Sequence, residues 1–533
     1  MKKYVNLKLK SLNSDQLRIF NDIQKNKLLQ VCIPTGAGKG YLMMVDILNR
    51  VVNSSENIFA ISSHRLMLNT QHLNDLFEIL SPLIGKIGFV FVGSSKYDTS
   101  KFQTNSIFNK SLLKSKLSYE EIVSSTTNTK DVDEIVTKHL ENKRKVVLLT
   151  TYHSLHTLKN LSIDTIFCDE AHTLASDEDS AQFKDNFQSI TSNNKYFLTA
   201  TPKDCFEETE AFLMNNKEVF GEKIGLTFKE CIDKGYMVKP ILHIALPSNF
   251  DPNLEFKSIK NMTKFVMYSF EAHKKWLKEV SFDGDRIAPK ILVKCPSVDE
   301  MWKIWADLNG KFGDVRICAG ASKNDMSNYN HFIDSDGIVG RSEYLEKIQK
   351  FKEDEMAIVL HYDTMSEGIN VSGFTGVMFL GGKLPTIIKT LQNTGRATRL
   401  HPFDRERLGR GDIVVGDGNW IKPNCAVIIP FWDSESDFTK EELSRQIKGL
   451  RDNFGYDPTY YVSIGSDIGN GKEKEDMDEL NKKNERNKKS ELIEEIHHHI
   501  ERFDKEELDL KESERINNMS VEEWFNYANN ITT

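Results

Sequence analysis

Strand-length apolar runs alternate with helical patterns along most of the 533-residue chain. The runs fall into two groups, one between Leu28 and Leu198 and the other between Ile291 and Ile429, and several are rich in β-branched residues. Helical patterns such as Asp15–Gln24 and Ser342–Phe351 lie between the runs. Because strands that alternate with helices form parallel sheets covered on both faces, the sequence predicts an α/β protein with two doubly wound parallel sheets in tandem.

Three features interrupt or end this alternation. Gly93–Lys130 is rich in Ser, Thr, Asn and Lys, which predicts a polar surface insertion. Lys239-Pro240 marks a probable boundary between the two groups, and the composition changes again after Leu450, with 11 basic and 16 acidic residues between positions 472 and 515. We therefore expect a first domain over 1–240 with its insertion at 93–130, a second domain over 241–450, and a charged helical extension over 451–533.

The cysteine pattern and the hydropathy exclude several classes of protein. The seven cysteines are scattered and none forms a CxxC pair, which disfavours zinc fingers and iron–sulfur clusters. The first residues carry charge without an apolar stretch behind it, so they do not form a signal peptide, and no apolar run reaches the length of a membrane helix. We expect reduced thiols and a cytoplasmic location, which includes the cytoplasm of an infected host cell.

A glycine-rich turn follows the first apolar run, Leu28–Ile33. It reads Pro34-Thr35-Gly36-Ala37-Gly38-Lys39-Gly40 and leads into a helical run. Such a turn leaves backbone N–H groups at a helix N-terminus to cradle phosphates, and a lysine here reaches the β- and γ-phosphates. Gly40 stands where a Ser or Thr hydroxyl usually binds Mg²⁺, which leaves the first shell of the metal open to question. The alternative is a glycine-rich turn that binds no nucleotide.

Two adjacent carboxylates follow a second apolar run, Thr165–Cys168. The sequence Asp169-Glu170-Ala171-His172 places both at the carboxyl end of a predicted strand. There, Asp169 can hold Mg²⁺, through water if needed, and Glu170 can orient or deprotonate an attacking water. A solvated helix start is the alternative for this sequence taken alone. Its position 130 residues after Lys39 makes the phosphoryl-transfer interpretation more specific.

Two arginines lie together in the second group of runs. Gln392-Asn393-Thr394-Gly395-Arg396-Ala397-Thr398-Arg399 matches the pattern QxxGRxxR. Residues at i and i+3 share a helix face, so Arg396 and Arg399 can point together at a phosphate whose charge grows in the transition state. The alternative is an ordinary solvated helix face.

Taken in order, these motifs resemble those of superfamily 2 DEAH-box helicases, nearest to the restriction-motor and phage or large-virus members. The match runs from Leu12 to Trp432 and does not cover the tail. The resemblance implies two RecA-like domains, with ATP and Mg²⁺ as cofactors. It further implies ATP binding by Gln16, which would read adenine, and by Thr35, Gly36, Gly38, Lys39, Gly40 and Gly368; a metal site at Asp169; and catalysis by Glu170, Gln392, Arg396 and Arg399.

Other segments match the family's motifs less specifically, and those motifs have other roles in the family. The resemblance assigns His172 and the pair Thr199 and Thr201 to coupling hydrolysis with movement. Ser63–Leu66 and Thr150–Leu155 resemble loops that touch the sugar–phosphate backbone, although ordinary loops are about equally compatible with these sequences. Thr364–Val371 resembles motif V, but Asn370 and Ser372 replace the usual Asp and Pro, and an ordinary strand exit is the alternative.

The spacing of the motifs predicts a mechanism. Lys39 and Arg399 are 360 residues apart and belong to different halves, so one ATP contacted by both would sit between two domains and draw them together. Hydrolysis would release them, and loops on both halves would step along a strand. We therefore expect an ATP-dependent helicase or translocase on nucleic acid, with DNA favoured over RNA. A weakly hydrolysing ATP-switch or scaffold is the alternative, and Gly40 motivates it.

The net charge of −8 disfavours a nucleic-acid partner at first sight. Residues 472–515 contribute −5 of it, which leaves 59 basic and 62 acidic residues elsewhere. A nearly neutral body is compatible with a motor, because a strand that is held briefly needs only a local basic track.

The tail carries its own helical pattern. Ile493, Ile496, Ile500 and Phe503 share one helix face, which favours packing onto the body over a site for a protein partner. His497-His498-His499 point about 100° apart on a helix, so a solvated face is favoured over a metal site. Ser520–Glu523 reads as a capping box.

Overall fold

Two separate sheets organise the chain, as the sequence predicts. The computed structural model describes residues 1–64, 66–93, 106–175, 181–202, 213–247, 258–311, 313–320, 332–334, 337–339, 347–348, 351–362, 373–380, 387–430, 437–455, 460–465 and 490–508. Within these residues no helix is long and apolar enough to cross a membrane.

The first sheet contains eight strands within the described residues, in the order β4-β3-β5-β2-β6-β7-β1-β8, and every pairing is parallel. Its strands are β1 Leu28–Cys32, β2 Ile58–Ser63, β3 Ile87–Val92, β4 Val123–Thr126, β5 Lys145–Thr151, β6 Ser162–Asp169, β7 Thr191–Thr199 and β8 Glu222–Gly225. The central strands are buried on both faces, which explains their continuous apolar sequences.

The second sheet contains nine strands within the described residues, in the order β13-β12-β11-β14-β10-β15-β16-β9-β17. Its strands are β9 Lys239–Pro247, β10 Lys290–Lys294, β11 Val315–Gly320, β12 Phe332–Asp334, β13 Gly337–Val339, β14 Met356–His361, β15 Gly376–Phe379, β16 Asn424–Pro430 and β17 Tyr460–Gly465. Only the short edge strands β12 and β13 pair antiparallel in this described set. The two doubly wound α/β units of the predicted fold class are thus confirmed.

Helices cover both sheets. They are α1 Lys2–Lys10, α2 Ser14–Lys25, α3 Lys39–Asn53, α4 Leu66–Leu80, α5 Ser106–Ser115, α6 Thr129–Glu141, α7 Ala181–Gln188, α8 Lys217–Phe220, α9 Phe228–Asp233, α10 Ile259–Val280, α11 Val298–Leu308, α12 Ile387–Ala397, α13 Pro402–Arg410, α14 Asp437–Phe454 and α15 over residues 490–508. Short 3₁₀ turns occupy Ser81–Lys86, Tyr152–Leu158 and Ala171–Thr173. The predicted capping box at Ser520–Glu523 lies outside the described residues.

Two segments contribute more to the sheets than expected. The expected insertion at 93–130 supplies β4, which pairs with β3, and it buries Tyr119 and Ile122. The surface prediction misses this strand because β4 is a short edge strand with the polar sequence Val-Ser-Ser-Thr. The expected extension after residue 450 supplies β17, which pairs in parallel with β9. The domain limits at residues 240 and 450 stay predictions.

The two halves are in direct contact. The linker residue Val238 donates its backbone N–H to the Thr398 carbonyl, which follows α12, at 2.8 Å. Phe228 of α9 packs against Phe454 of α14, with ring centroids 4.7 Å apart. The linker thus reaches the segment that follows α12, which is where the candidate site lies.

Candidate functional site

The glycine-rich turn connects the end of β1 to the start of α3. Gly36 and Gly38 have φ angles of +96° and +92°, in the left-handed region that side chains disfavour. Gly38 is the N-cap of α3, and its carbonyl accepts the N–H of Leu42 at 3.1 Å. The turn thus aims the first N–H groups of a 15-residue helix at the space beyond β1, as phosphate binding requires.

Residues from the second half close over this turn. A Cβ atom added to Gly36 would lie 3.0 Å from Arg399 Cγ and 3.1 Å from the Gly395 carbonyl oxygen. A Cβ atom added to Gly395 would lie 2.9 Å from Thr35 Cβ. The end of α12 and the segment that follows it therefore abut the turn, and the structure brings Thr35, Gly36 and Arg399 together as the spacing of the motifs predicts.

Lys39 lies between the two predicted carboxylates. Its ammonium nitrogen is 3.0 Å from Asp169 Oδ1 and 3.1 Å from Glu170 Oε1, and all three side chains are at most 12% exposed. Burial disfavours the ammonium, but the two carboxylates outweigh burial and raise the pKa of Lys39. The three charged groups of the predicted site thus form one buried cluster.

Asp169 is held by two further residues that the sequence did not single out for it. His72 Nε2, on α4, lies 3.0 Å from Asp169 Oδ2, and the Tyr152 hydroxyl donates to the Asp169 carbonyl at 2.7 Å. Burial opposes ionisation of Asp169, but Lys39 and the hydrogen bond from His72 hold the pKa of its carboxyl well below the usual range. Asp169 is therefore an ionised acceptor with a defined orientation.

Glu170 adopts a left-handed backbone conformation, with φ +54° and ψ +47°. This is uncommon for a residue with a side chain and tends to occur at functional sites. His172 Nδ1 lies 3.0 Å from Thr199 Oγ1 and 3.5 Å from Glu170 Oε2, and Thr199 Oγ1 also accepts the Thr201 N–H at 3.2 Å. A continuous set of polar contacts thus joins Glu170 to the segment that leaves β7.

Gln16 contacts the glycine-rich turn directly. Its side chain completes a capping box with Asn13 at the start of α2, and its Nε2 donates to the Ala37 carbonyl at 3.2 Å. The neighbouring Asp15 accepts two hydrogen bonds from Lys234 and one from Tyr236. The predicted base-reading residue therefore lies at the turn and beside the linker between the halves.

Arg396 lies in the last turn of α12, and Arg399 lies two residues beyond its end. Arg396 is 3% exposed, and Arg399 is half-buried beside the turn. Burial, with repulsion from Arg396 and Arg405, lowers the pKa of Arg399 to about 9. A concentration of buried positive charge at this position suits the binding of an anion. The backbone of Gln392 belongs to the same helix, but its side chain lies outside the described residues, as do Gly368 and the motif around it.

The two loops that were expected to touch a sugar–phosphate backbone lie side by side. Ser63 Oγ donates to Asn69 Oδ1 at 2.9 Å, and Asn69 Nδ2 donates to the Thr150 carbonyl at 2.7 Å. Asn69 was not identified from the sequence, since nothing in the local pattern distinguishes it from a surface amide. Parallel pairing of β2 with β5 places these loops at the same edge as Asp169.

The residues present fit a magnesium ion that also binds nucleotide phosphates. Asp169 Oδ1 and Glu170 Oε2 are buried carboxylate oxygens that accept no hydrogen bond, apart from the Lys39 ion pair at Asp169. No group of three or more His, Cys, Asp or Glu side chains arranged for a metal occurs within the described residues. This arrangement suits Mg²⁺, which is usually bound by one or two carboxylates together with phosphates and water.

The amino-acid sequence of the first half matches a protein-family model. Residues 13–209 match the model described as DEAD/DEAH box helicase. This part of the chain is therefore similar to a DEAD/DEAH helicase domain. It contains Gln16, Lys39, Asp169 and Glu170. No curated protein matches the chain in sequence.

Solved structures show the same two-domain fold. The ATP-dependent type ISP restriction-modification enzyme LlaBIII, bound to DNA, aligns over 86% of this chain and 32% of its own, with 13% identity and a TM-score of 0.56. The Mycobacterium smegmatis helicase Lhr, bound to ssDNA and AMP-PNP, aligns over 86% and 50%, with 13% identity and a TM-score of 0.50. The chain thus spans a third to a half of these proteins, and it has two tandem RecA-like domains.

Proposed function

We propose that the protein is an ATP-dependent motor that couples hydrolysis to movement along nucleic acid, as a helicase or a translocase. The observation that carries the proposal is the meeting of Lys39, Asp169 and Glu170 from the first domain with Arg399 from the second at one glycine-rich turn. Simple nucleotide binding needs only the first domain. A cation from the second domain makes the contact between the domains depend on the nucleotide.

We assign a role to each residue from these contacts. The turn and Lys39 bind the phosphates, and Gln16, whose Nε2 donates to the Ala37 carbonyl of the turn, reads the base. Glu170 orients or deprotonates the attacking water, and Arg396 and Arg399 stabilise the charge that develops on the γ-phosphate. When bound, Mg²⁺ at Asp169 would neutralise charge on the β- and γ-phosphates. Gln392 and Gly368 keep the roles that the resemblance implies.

The residues that we expect to couple hydrolysis to nucleic-acid binding lie at the same edge of the first sheet. His172, Thr199 and Thr201 connect Glu170 to the segment after β7, while His72 connects Asp169 to the helix that follows the Ser63–Leu66 loop. A strand bound by these loops can therefore bias both carboxylates. We favour DNA over RNA, since the two structures described above contain DNA, and we place the chain with the DEAH-box restriction-motor or phage and large-virus proteins.

The test is a steady-state ATPase assay with ssDNA, dsDNA, branched DNA or RNA added. We expect nucleic acid to stimulate hydrolysis, and Lys39→Ala and Glu170→Gln to reduce kcat by at least about 100-fold. The matched control is Glu222→Gln on β8, whose side chain is 68% exposed and which pairs with Leu29 near the start of β1, at the end of the strand away from the turn. Equal hydrolysis with and without every nucleic acid would contradict the motor.

Gly40 favours a second candidate, a weakly hydrolysing ATP-switch that grips nucleic acid without unwinding it. A Cβ atom added to Gly40 would meet nothing within 4 Å, so a hydroxyl side chain fits there. If the missing hydroxyl limits hydrolysis, Gly40→Thr should raise kcat strongly and lower the Mg²⁺ concentration needed. A wild-type rate that is already fast, and unchanged by this substitution, would exclude the switch.

A further inference from the structure

A buried lysine closes the end of the arginine helix. The Lys422 ammonium is 1% exposed and donates three hydrogen bonds to backbone carbonyls, those of Phe374 at 2.6 Å, Ala397 at 2.6 Å and Arg399 at 2.7 Å. An ammonium has three donors, so its hydrogen-bonding capacity is filled by main-chain oxygens.

One of these three carbonyls belongs to Ala397, the last residue of α12, and another to Arg399, two residues beyond the helix. The last carbonyls of a helix have no partner within the helix and carry partial negative charge, so a cation satisfies both needs. The carbonyl between them, that of Thr398, accepts the linker N–H of Val238 at 2.8 Å. Lys422 and the linker together therefore bind three consecutive carbonyls that end at Arg399.

The backbone around Lys422 is itself held in place. Asp404, which is fully buried on α13, accepts the N–H of Ile421 at 2.9 Å and the N–H of Lys422 at 2.8 Å. The third carbonyl partner, Phe374, lies two residues before the start of β15. Lys422 thus connects the arginine helix to the sheet of the second domain.

The electrostatic surroundings oppose a buried ammonium here. Burial, with repulsion from Arg399 and Lys290, lowers the pKa of Lys422 to about 8. An apolar side chain of similar size would avoid this unfavourable charge, since replacing buried charges by apolar groups is often neutral or stabilising. The ammonium is therefore better explained by the three carbonyls than by general stability.

We propose that Lys422 is a positioning residue for the arginine pair, because it holds the carbonyls of Ala397 and Arg399 and thereby sets where Arg396 and Arg399 point. This role rests on the proposed hydrolysis of ATP. Lys422 does not touch the nucleotide; it acts through the backbone of the residues that do. Small displacements of catalytic groups reduce rates strongly, so the geometry of this helix end should matter for kcat more than for KM.

The first experiment measures the helix end without any assay of activity. Hydrogen exchange over residues 390–400 should become roughly tenfold faster in Lys422→Met, because the carbonyls lose their partner. Lys290→Met is the matched control: Lys290 is also buried, with a pKa lowered to about 8, but its ammonium binds the Glu353 carbonyl instead. Lys422→Gln, which retains two donors, should give an intermediate rate if Lys422→Met does not fold.

The second experiment is a double-mutant cycle in the ATPase assay. Lys422→Met should reduce kcat by about 10- to 100-fold with KM within about twofold, and it should add less than about twofold in an Arg399→Ala background. Unchanged exchange, an equal kcat loss in Lys290→Met, or full additivity with Arg399→Ala would overturn the positioning role. A wild-type protein without ATPase activity would contradict the proposed function instead, and the exchange experiment would still test the contact.

Discussion

Two glycines of the turn, Gly38 and Gly40, are only two positions apart but have different structural requirements. Gly38 has φ +92°, and a Cβ atom added to it would overlap the side-chain nitrogen of Gln16. Gly40 lies in the first turn of α3, and a Cβ atom there meets nothing within 4 Å. The first glycine is required by backbone and packing, whereas the second is required by neither.

This difference predicts opposite outcomes for one chemical change. Gly38→Ala should strain the turn by about 1–2 kcal/mol and displace Gln16, which should weaken ATP binding by tenfold or more. Gly40→Ala is the matched control and should leave ATP affinity within about twofold, since alanine favours the helix. Titration with a fluorescent ATP analogue measures both. Equal affinities for the two variants would contradict the assignment of Gln16 to the nucleotide.

The sequence predicts the charged residues of the site but not all of the residues that hold them in place. The order of the motifs predicted that Lys39, Asp169 and Glu170 share a site, because parallel strands bring their carboxyl ends to one edge. It did not predict His72 at Asp169 or the bonds of Lys422. Both contacts join residues more than 20 positions apart by packing of helices and loops, which no local pattern specifies.

Among the elements, the tail helix α15 packs on α14 as its apolar pattern predicts. Ile496, Ile500 and Phe503 are buried and Ile493 is half-buried, so this face is covered within the chain. His497 and His498 are exposed, in agreement with the predicted solvated face, whereas His499 is half-buried and its ring stacks on Phe503. Charged side chains surround the apolar contact, and Arg451 of α14 binds both oxygens of Asp504, at 2.9 and 2.6 Å.

We expect this bidentate pair to help dock α15. A double-mutant cycle with Arg451→Ala and Asp504→Ala should give a coupling free energy of about 1 kcal/mol in urea unfolding, which falls as salt is added. The exposed pair of Lys303 and Asp299 on α11 is the control and should couple by less than about 0.5 kcal/mol. Coupling at Arg451 no larger than in the control would mean that α15 is held by its apolar face alone.

The strands that the sequence missed, β3, β4, β8, β9, β12, β13 and β17, all lie at or next to the edges of the sheets. Short or polar sequences are tolerated there because one side lacks a partner strand, as in β4, β8, β12 and β13, whereas β3 and β9 were missed although their sequences are largely apolar. The central strands must be apolar on both faces, so they stand out in the sequence. Prediction from hydrophobic runs therefore recovers the centre of each sheet and loses its margins.

Across the whole molecule, buried histidines make the fold sensitive to acid. Burial lowers the pKa of five imidazoles in the described residues: His139 and His401 to about 4, His273 to about 3, and His243 and His361 well below the usual value. Burial also raises the pKa of two carboxyls to about 6, those of Asp46 and Asp75. As pH falls, the histidines lower the free energy of unfolding and the two carboxyls raise it.

The effect of the histidines on stability should be larger than that of the two carboxyls. A neutral buried imidazole stabilises the fold fully above the unfolded pKa of about 6.5, and this contribution is lost as pH falls toward the lowered folded pKa. Protonation of the two carboxyls raises the free energy of unfolding over part of the same pH range. Near pH 5, unfolding should therefore take up about three protons in net, and stability should fall by about 4 kcal/mol per pH unit.

Scanning calorimetry between pH 7.5 and 5 measures this fall as a decrease in Tm, with the second domain expected to unfold first because four of the five histidines belong to it. His361→Leu is the informative variant, since both ring nitrogens of His361 are buried without a hydrogen-bond partner. It should leave Tm near its wild-type value at pH 7.5 and raise Tm at pH 5. A Tm that is constant over this range, or a variant that loses as much stability as wild type on acidification, would show that the carboxyls balance the histidines.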